Sequence, residues 1–71
     1  PNPTNGKLNV KLTNIGSEAS LVVLSIQGQI VRMETITQEE TMLDLSALAK
    51  GVYLIKVQSD GNTIVKRVLV Q

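Results

Sequence analysis

Few side chains in this 71-residue chain can do chemistry, and their spacing argues against catalysis. There is no cysteine and no histidine, which removes the thiolate nucleophile, disulfides, the commonest metal ligands and the commonest near-neutral general base. Carboxylates, lysines, hydroxyls and Tyr53 remain. Glu39 and Glu40 are adjacent in a polar connection and read as solvated loop charge rather than a glycosidase pair. Asp60-Gly61-Asn62 matches only a fragment of a calcium loop, because the further oxygen ligands do not follow. No phosphate-cradling glycine spacing occurs, and Ser46 has no base near it in the chain. The expectation is a protein that is not an enzyme and uses no cofactor or metal.

Binding chemistry is narrowed in the same way. Surfaces that stack sugars or nucleic-acid bases need exposed aromatic platforms, and Tyr53 is the single aromatic residue, so no nucleic-acid partner is expected. Tyr53 itself is expected to pack at the edge of a β-sandwich with its hydroxyl bonded to a backbone group. The net charge of +1 points to no polyanion, but the charge is uneven: +2 over residues 1–17, −4 over 18–49 and +3 over 50–71. This reads as a solvated surface of mixed sign, the sharper alternative being a basic C-terminal face that docks something acidic. Lys66 shares a strand face with Ile64, Val68 and Val70, and Arg67 shares the other with Val65 and Leu69. One of the two cations must therefore lie on a partly apolar face. There its stem covers apolar surface, or the charge serves recognition or guards an edge strand.

The elements that would position these residues are strands. Nine Val, nine Leu and six Ile supply an aliphatic core. Lys7 to Thr13 alternates strictly, with Leu8, Val10 and Leu12 on one face. Ala19 to Ile26 is apolar on both faces between Leu21 and Leu24, which predicts a central strand. Gln27-Gly28-Gln29 turns the chain into Ile30 to Thr37, with Val31, Met33 and Thr35 sharing a face. Thr41 to Leu45 follows, Leu43 and Leu45 inward and Asp44 outward. Ser46 to Lys50 forms a corner plugged by Leu48 and ended by Gly51. Val52 to Val57 and Ile64 to Val70 flank Ser59-Asp60-Gly61-Asn62, and Asp60-Gly61 suits a type I′ hairpin turn. The sum is an all-β fold: a small antiparallel β-sandwich, Ig-like, of six to seven strands in a single domain spanning 1–71. Pro1-Asn2-Pro3-Thr4-Asn5-Gly6 reads as a stiff opening turn from an upstream linker, and the start at Pro1 rather than Met suggests a fragment of a longer protein. No apolar run approaches the ~20 residues of a membrane-spanning helix, and no signal-peptide pattern opens the chain.

Three blocks together resemble the C-terminal sorting domain of the type IX secretion system of Bacteroidetes-type bacteria. Pro1-Asn2-Pro3-Thr4-Asn5-Gly6 is similar to the family's PNP-x-x-G opening. Leu21 to Val31, with Gly28, is similar to its strand-then-glycine block, although Leu24 and Ser25 stand where an aromatic residue and Asp or Asn are frequent. Leu43-Asp44-Leu45-Ser46, Gly51-Val52-Tyr53 and Lys66-Arg67-Val68-Leu69-Val70 resemble the closing pattern. The resemblance implies an export signal following a covalently attached upstream cargo, recognised in the periplasm by the type IX translocon and its outer-membrane shuttle. It implies removal by a sortase-like cysteine protease near or before Pro1, with the cargo delivered to the cell surface or secreted. Translocon recognition would fall on Gly51, Tyr53, Lys66, Val68 and Val70, with Arg67 and Leu69 in the same block. Pro3 and Gly6 would contribute from the opening. A rival reading is an extracellular accessory module for adhesion, or for carbohydrate or protein binding. A terminal strand in so small a sandwich can also swap, which leaves a strand-exchanged homodimer open.

Overall fold

Residues that alternate apolar with polar give each strand one face to bury, and the chain uses its strands accordingly. The computed structural model describes residues 6–12, 18–59 and 61–71. The strands are β1 (Lys7–Lys11), β2 (Ala19–Ser25), β3 (Ile30–Ile36), β4 (Glu40–Asp44), β5 (Gly51–Ser59) and β6 (Asn62–Val70). β1 pairs with β4, and a four-stranded sheet runs in the order β3-β2-β5-β6, every pairing being antiparallel. The chain changes sheets between β1 and β2, between β3 and β4, and between β4 and β5. The architecture is a small β-sandwich compatible with the Ig-like expectation, with six strands among the described residues.

The core is the row of inward positions where the sheets face one another. Ala19, Leu21 and Val23 come from β2, Tyr53, Ile55 and Val57 from β5, and Val68 and Val70 from β6. Ile36, Leu43 and Leu45 complete it, while Leu8, Val10, Leu12 and Leu48 pack against it half-buried. β2 is central, as its two apolar faces predict: it lies between β3 and β5. The tyrosine also behaves as expected, its hydroxyl donating to the Ala49 carbonyl at 2.6 Å from a ring that is otherwise buried.

Boundaries move by a residue or so. β2 ends at Ser25, leaving Ile26 exposed in the turn; β3 ends at Ile36; β4 begins at Glu40 and stops at Asp44. Thr13 and the opening residues Pro1, Asn2 and Pro3 lie outside the described residues, as does Asp60 of the hairpin turn. On β3, Met33 and Thr35 do share a face, the outward one, opposite Val22 and Ser20. Val31 does not continue that alternation, because the pairing shifts between Val23 and Leu24 and Val31 falls at the irregularity. The inward positions of β3 are instead Arg32, Glu34 and Ile36, of which only Ile36 is buried.

Two corners fix how the narrow sheet enters. The Gly6 carbonyl accepts from the Leu45 amide, and Gly6 has φ +118°. A Cβ there would come within 2.9 Å of Cα and Cβ of Ser46, so the residue needs both the unusual φ and the space. The Ser46 amide donates to Asp44 Oδ1 at 2.9 Å, and the Leu48 amide to the Leu45 carbonyl at 3.0 Å, closing a turn rather than starting a helix. Donation from Ser46, hydroxyl first and amide second, holds the Asp44 carboxyl below its usual range, with smaller help from Lys7 and Arg32.

Replacing Gly6 by Ala should destabilise the domain by about 1–3 kcal/mol. Gly28→Ala also strains a positive φ (+92°) but meets nothing within 4 Å, so its denaturant midpoint should fall less. Asp44 gives a pH dependence. Its pKa is lower folded than unfolded, so its stabilisation is complete above the unfolded value of about 4 and fades as pH falls through the folded value. Asp44→Asn keeps an acceptor for the Ser46 amide without titrating. A plot of denaturant midpoint against pH should therefore fall less steeply below about pH 4 in that variant.

Candidate interaction site

The closing hairpin positions most of the residues the sequence singles out. β5 and β6 pair along their full length, from Gly51 opposite Val70 to Ser59 opposite Asn62, with Gly61 at φ +81° in the turn. Among the described residues, β6 is the outermost strand of the wide sheet, next to β5. Its inward row runs Ile64, Lys66, Val68, Val70, opposite Val57, Ile55, Tyr53 and Gly51. Val68 and Val70 are buried, whereas Ile64 is 52% exposed and Lys66 also faces solvent. Its outward row carries Val65 and Arg67, both exposed, and half-buried Leu69.

The terminal block thus divides by depth. Tyr53, Val68 and Val70 belong to the core; Lys66 and Arg67 are exposed on two different faces, and Leu69 is half-buried. Gly51 opens β5 beside Val70, Gly28 shapes the β2–β3 turn, and Asp44 and Leu45 form the corner that receives Gly6. The cations of the C-terminal third therefore do not make one basic face. Lys56 and Arg67 point outward, and Lys66 belongs to the inward row.

Two surfaces emerge from the pairing. One is the outward face of the wide sheet, where Met33, Val22, Lys56 and Val65 form a cross-strand row and Ile30, Leu24, Leu54 and Arg67 form the next. Met33, Ile30 and Val65 are more than half exposed, and neither row contains a carboxylate. The other is a groove of about 450 Å³ between β1 and β6. Residues 8–12 form one wall, Ile55 and Val57 the floor, and Ile64, Lys66 and Val68, with Arg67 at the rim, the other wall. Alternation in the sequence marks the apolar residues of both strands. It does not reveal that β1 and β6 come together, since they are neither consecutive nor hydrogen-bonded to one another. The clue it does carry is Lys66, a cation on an otherwise apolar row.

Two ion pairs lie near the surface among the described residues. Lys11 lies 3.6 Å from Glu40, which also accepts from the Asn9 side-chain amide at 3.1 Å, and Arg32 Nε donates to Glu34 at 3.1 Å. Among the described residues, no three carboxylates gather as metal ligands would.

A search of curated proteins finds no match for this chain. The family model described as "Secretion system C-terminal sorting domain" matches residues 1–71, the whole length, in agreement with the opening, middle and closing blocks and with the sandwich they build. The chain belongs to the C-terminal sorting domain family of type IX secretion.

Proposed function

We propose that this domain is the export tag of a cargo joined ahead of it. The type IX translocon and its outer-membrane shuttle recognise it during periplasmic transit, and a sortase-like cysteine protease then cuts it away. Family membership gives the class of function, a sorting signal for export across the outer membrane to the cell surface or medium. The observation that supports the place of recognition is the division of β6. Val68 and Val70 anchor the strand in the core, while Lys66 and Arg67 beside them are exposed on a strand so anchored. Contact with the machinery is made by side chains of β6. Gly51, Tyr53, Val68 and Val70 act by holding that strand in place, and Pro3 and Gly6 by setting how the domain leaves its cargo.

Deleting residues 68–71 would remove two core side chains, so it could not separate recognition from folding. Charge reversal separates them. A secreted reporter fused ahead of the domain should lose at least tenfold of its export when Lys66→Glu and Arg67→Glu are combined, while the purified domain keeps its melting temperature. Glu39→Lys, an exposed position in the connection between β3 and β4, should export normally. Full export by the double variant, with the fold intact, would refute recognition at this strand.

A further inference from the structure

We propose that the outer edge of β3 pairs antiparallel with β3 of a second copy of this chain, about a two-fold axis at Met33, so that two wide sheets continue into one. Among the described residues β3 is bonded to β2 alone, at the end of the sheet opposite β6. Both connections flanking β3 are described, and their backbone bonds run elsewhere. Before it, the Ser25 amide donates to the Gln29 carbonyl and the Gly28 amide to the Ser25 carbonyl; after it, the Leu12 amide donates to the Glu39 carbonyl. The outer side of β3 therefore carries ladder donors and acceptors that no described residue takes up.

The side chains choose the occupant. Arg32 and Glu34 stand on the inward row, neither of them buried, with Met33 between them on the outward face. When Met33 lies opposite Met33, alternation sets Arg32 of each copy directly opposite Glu34 of the other, and the symmetry makes this contact twice. Sliding one strand by a single residue would oppose an inward position to an outward one. Sliding it by two would set Arg32 against Arg32 or Glu34 against Glu34, and longer slides take the two charges out of register. One register alone opposes unlike charges. A strand without this pattern meets a charge it does not match, so the edge selects its own copy and refuses an unrelated strand.

Little stands in the way of the exchange. Within one copy Arg32 and Glu34 are two residues apart, about 6.6 Å along the strand, whereas residues directly opposite across a ladder stand about 5 Å apart. The bond they make within the strand, at 3.1 Å, is open to water and adds little to stability, so it gives way readily to two across the axis. On the outward face Met33 is 68% exposed and Val31 38%, and a strand laid alongside would cover both. Lys56 and Arg67 lie on β5 and β6, away from this edge, so the like charges that oppose face-to-face stacking do not meet here. The irregularity between Val23 and Leu24 bends β3 near Val31 and keeps the ladder short, which makes the contact weak and reversible. No strand leaves its own sheet.

The test uses the whole 71-residue chain. In sedimentation equilibrium between about 10 μM and 1 mM, where a small contact becomes populated, its mass should rise from 7.7 kDa toward twice that value. Arg32→Glu and Glu34→Arg should each keep the parent's melting temperature and stay monomeric alone. Mixed in equal amounts they should associate, because every facing pair is then again of opposite sign. Both changes in one chain should restore the homodimer. Met33→Cys, in a chain without cysteine, should form a disulfide between copies about tenfold faster than Val65→Cys, which is also exposed on the outward face but lies on β6. A monomer throughout that range, single variants that dimerise like the parent, no association on mixing, or equal disulfide rates at the two positions would overturn the proposal. A dimer that ignores both charges and exchanges subunits only on unfolding would overturn it in favour of strand exchange. Because the readout is self-association, its failure leaves the export reading standing, and export lost through β6 does not touch it.

Discussion

A four-stranded sheet packs against a two-stranded one, and the narrower layer can keep water only from the middle of the wider one. Burial follows from that mismatch. β2 and β5, the inner strands, hold six of the eleven buried core residues, including Leu21 and Val23. The outer strands β3 and β6 are buried at one end and open at the other: Ile36 is covered while Glu34 is not, and Val68 is covered while Ile64 is not. With a single buried aromatic ring, the core depends on aliphatic rows meeting closely, so the corner where Gly6 bonds Leu45 and abuts Ser46 sets the height at which the narrow sheet sits.

The two open inner edges are handled differently. On β3, Arg32 and Glu34 bond each other at 3.1 Å across exposed positions, a pair that adds little to stability but leaves no lone charge facing the core. On β6, Lys66 stands on the inward row beside apolar neighbours. An inward charge on an edge strand discourages indiscriminate strand addition.

Much of this was legible in the chain because a strand's period of two is a local property. The Leu8-Val10-Leu12 row, the doubly apolar Leu21–Leu24 run, the Asp60-Gly61 hairpin signal and the separation of Lys66 from Arg67 each follow from neighbours in sequence, and so does the hydroxyl-to-backbone bond of Tyr53. What escaped depends on pairing. The side on which Arg32 and Glu34 fall is decided by the irregularity at Val23/Leu24, which resets the register of β3 and cannot be read from β3 alone. The groove needs β1 on the opposite sheet to approach β6, a contact between the first strand and the last that no local pattern encodes. The terminal block likewise reads as one motif in sequence, yet alternation sends Val68 and Val70 into the core and leaves Arg67 on the far face.

That division has a consequence for a domain that must be recognised and yet stay unaggregated. The outward face of the wide sheet exposes Met33, Ile30 and Val65 in adjoining rows, an apolar surface that would ordinarily invite stacking between copies. Lys56 interrupts one row and Arg67 the next. Two copies meeting face to face would bring these like charges together in a drying interface, where repulsion is screened least. Alternation along a single edge strand therefore sets one cation of the Lys66-Arg67 pair on each of its two faces.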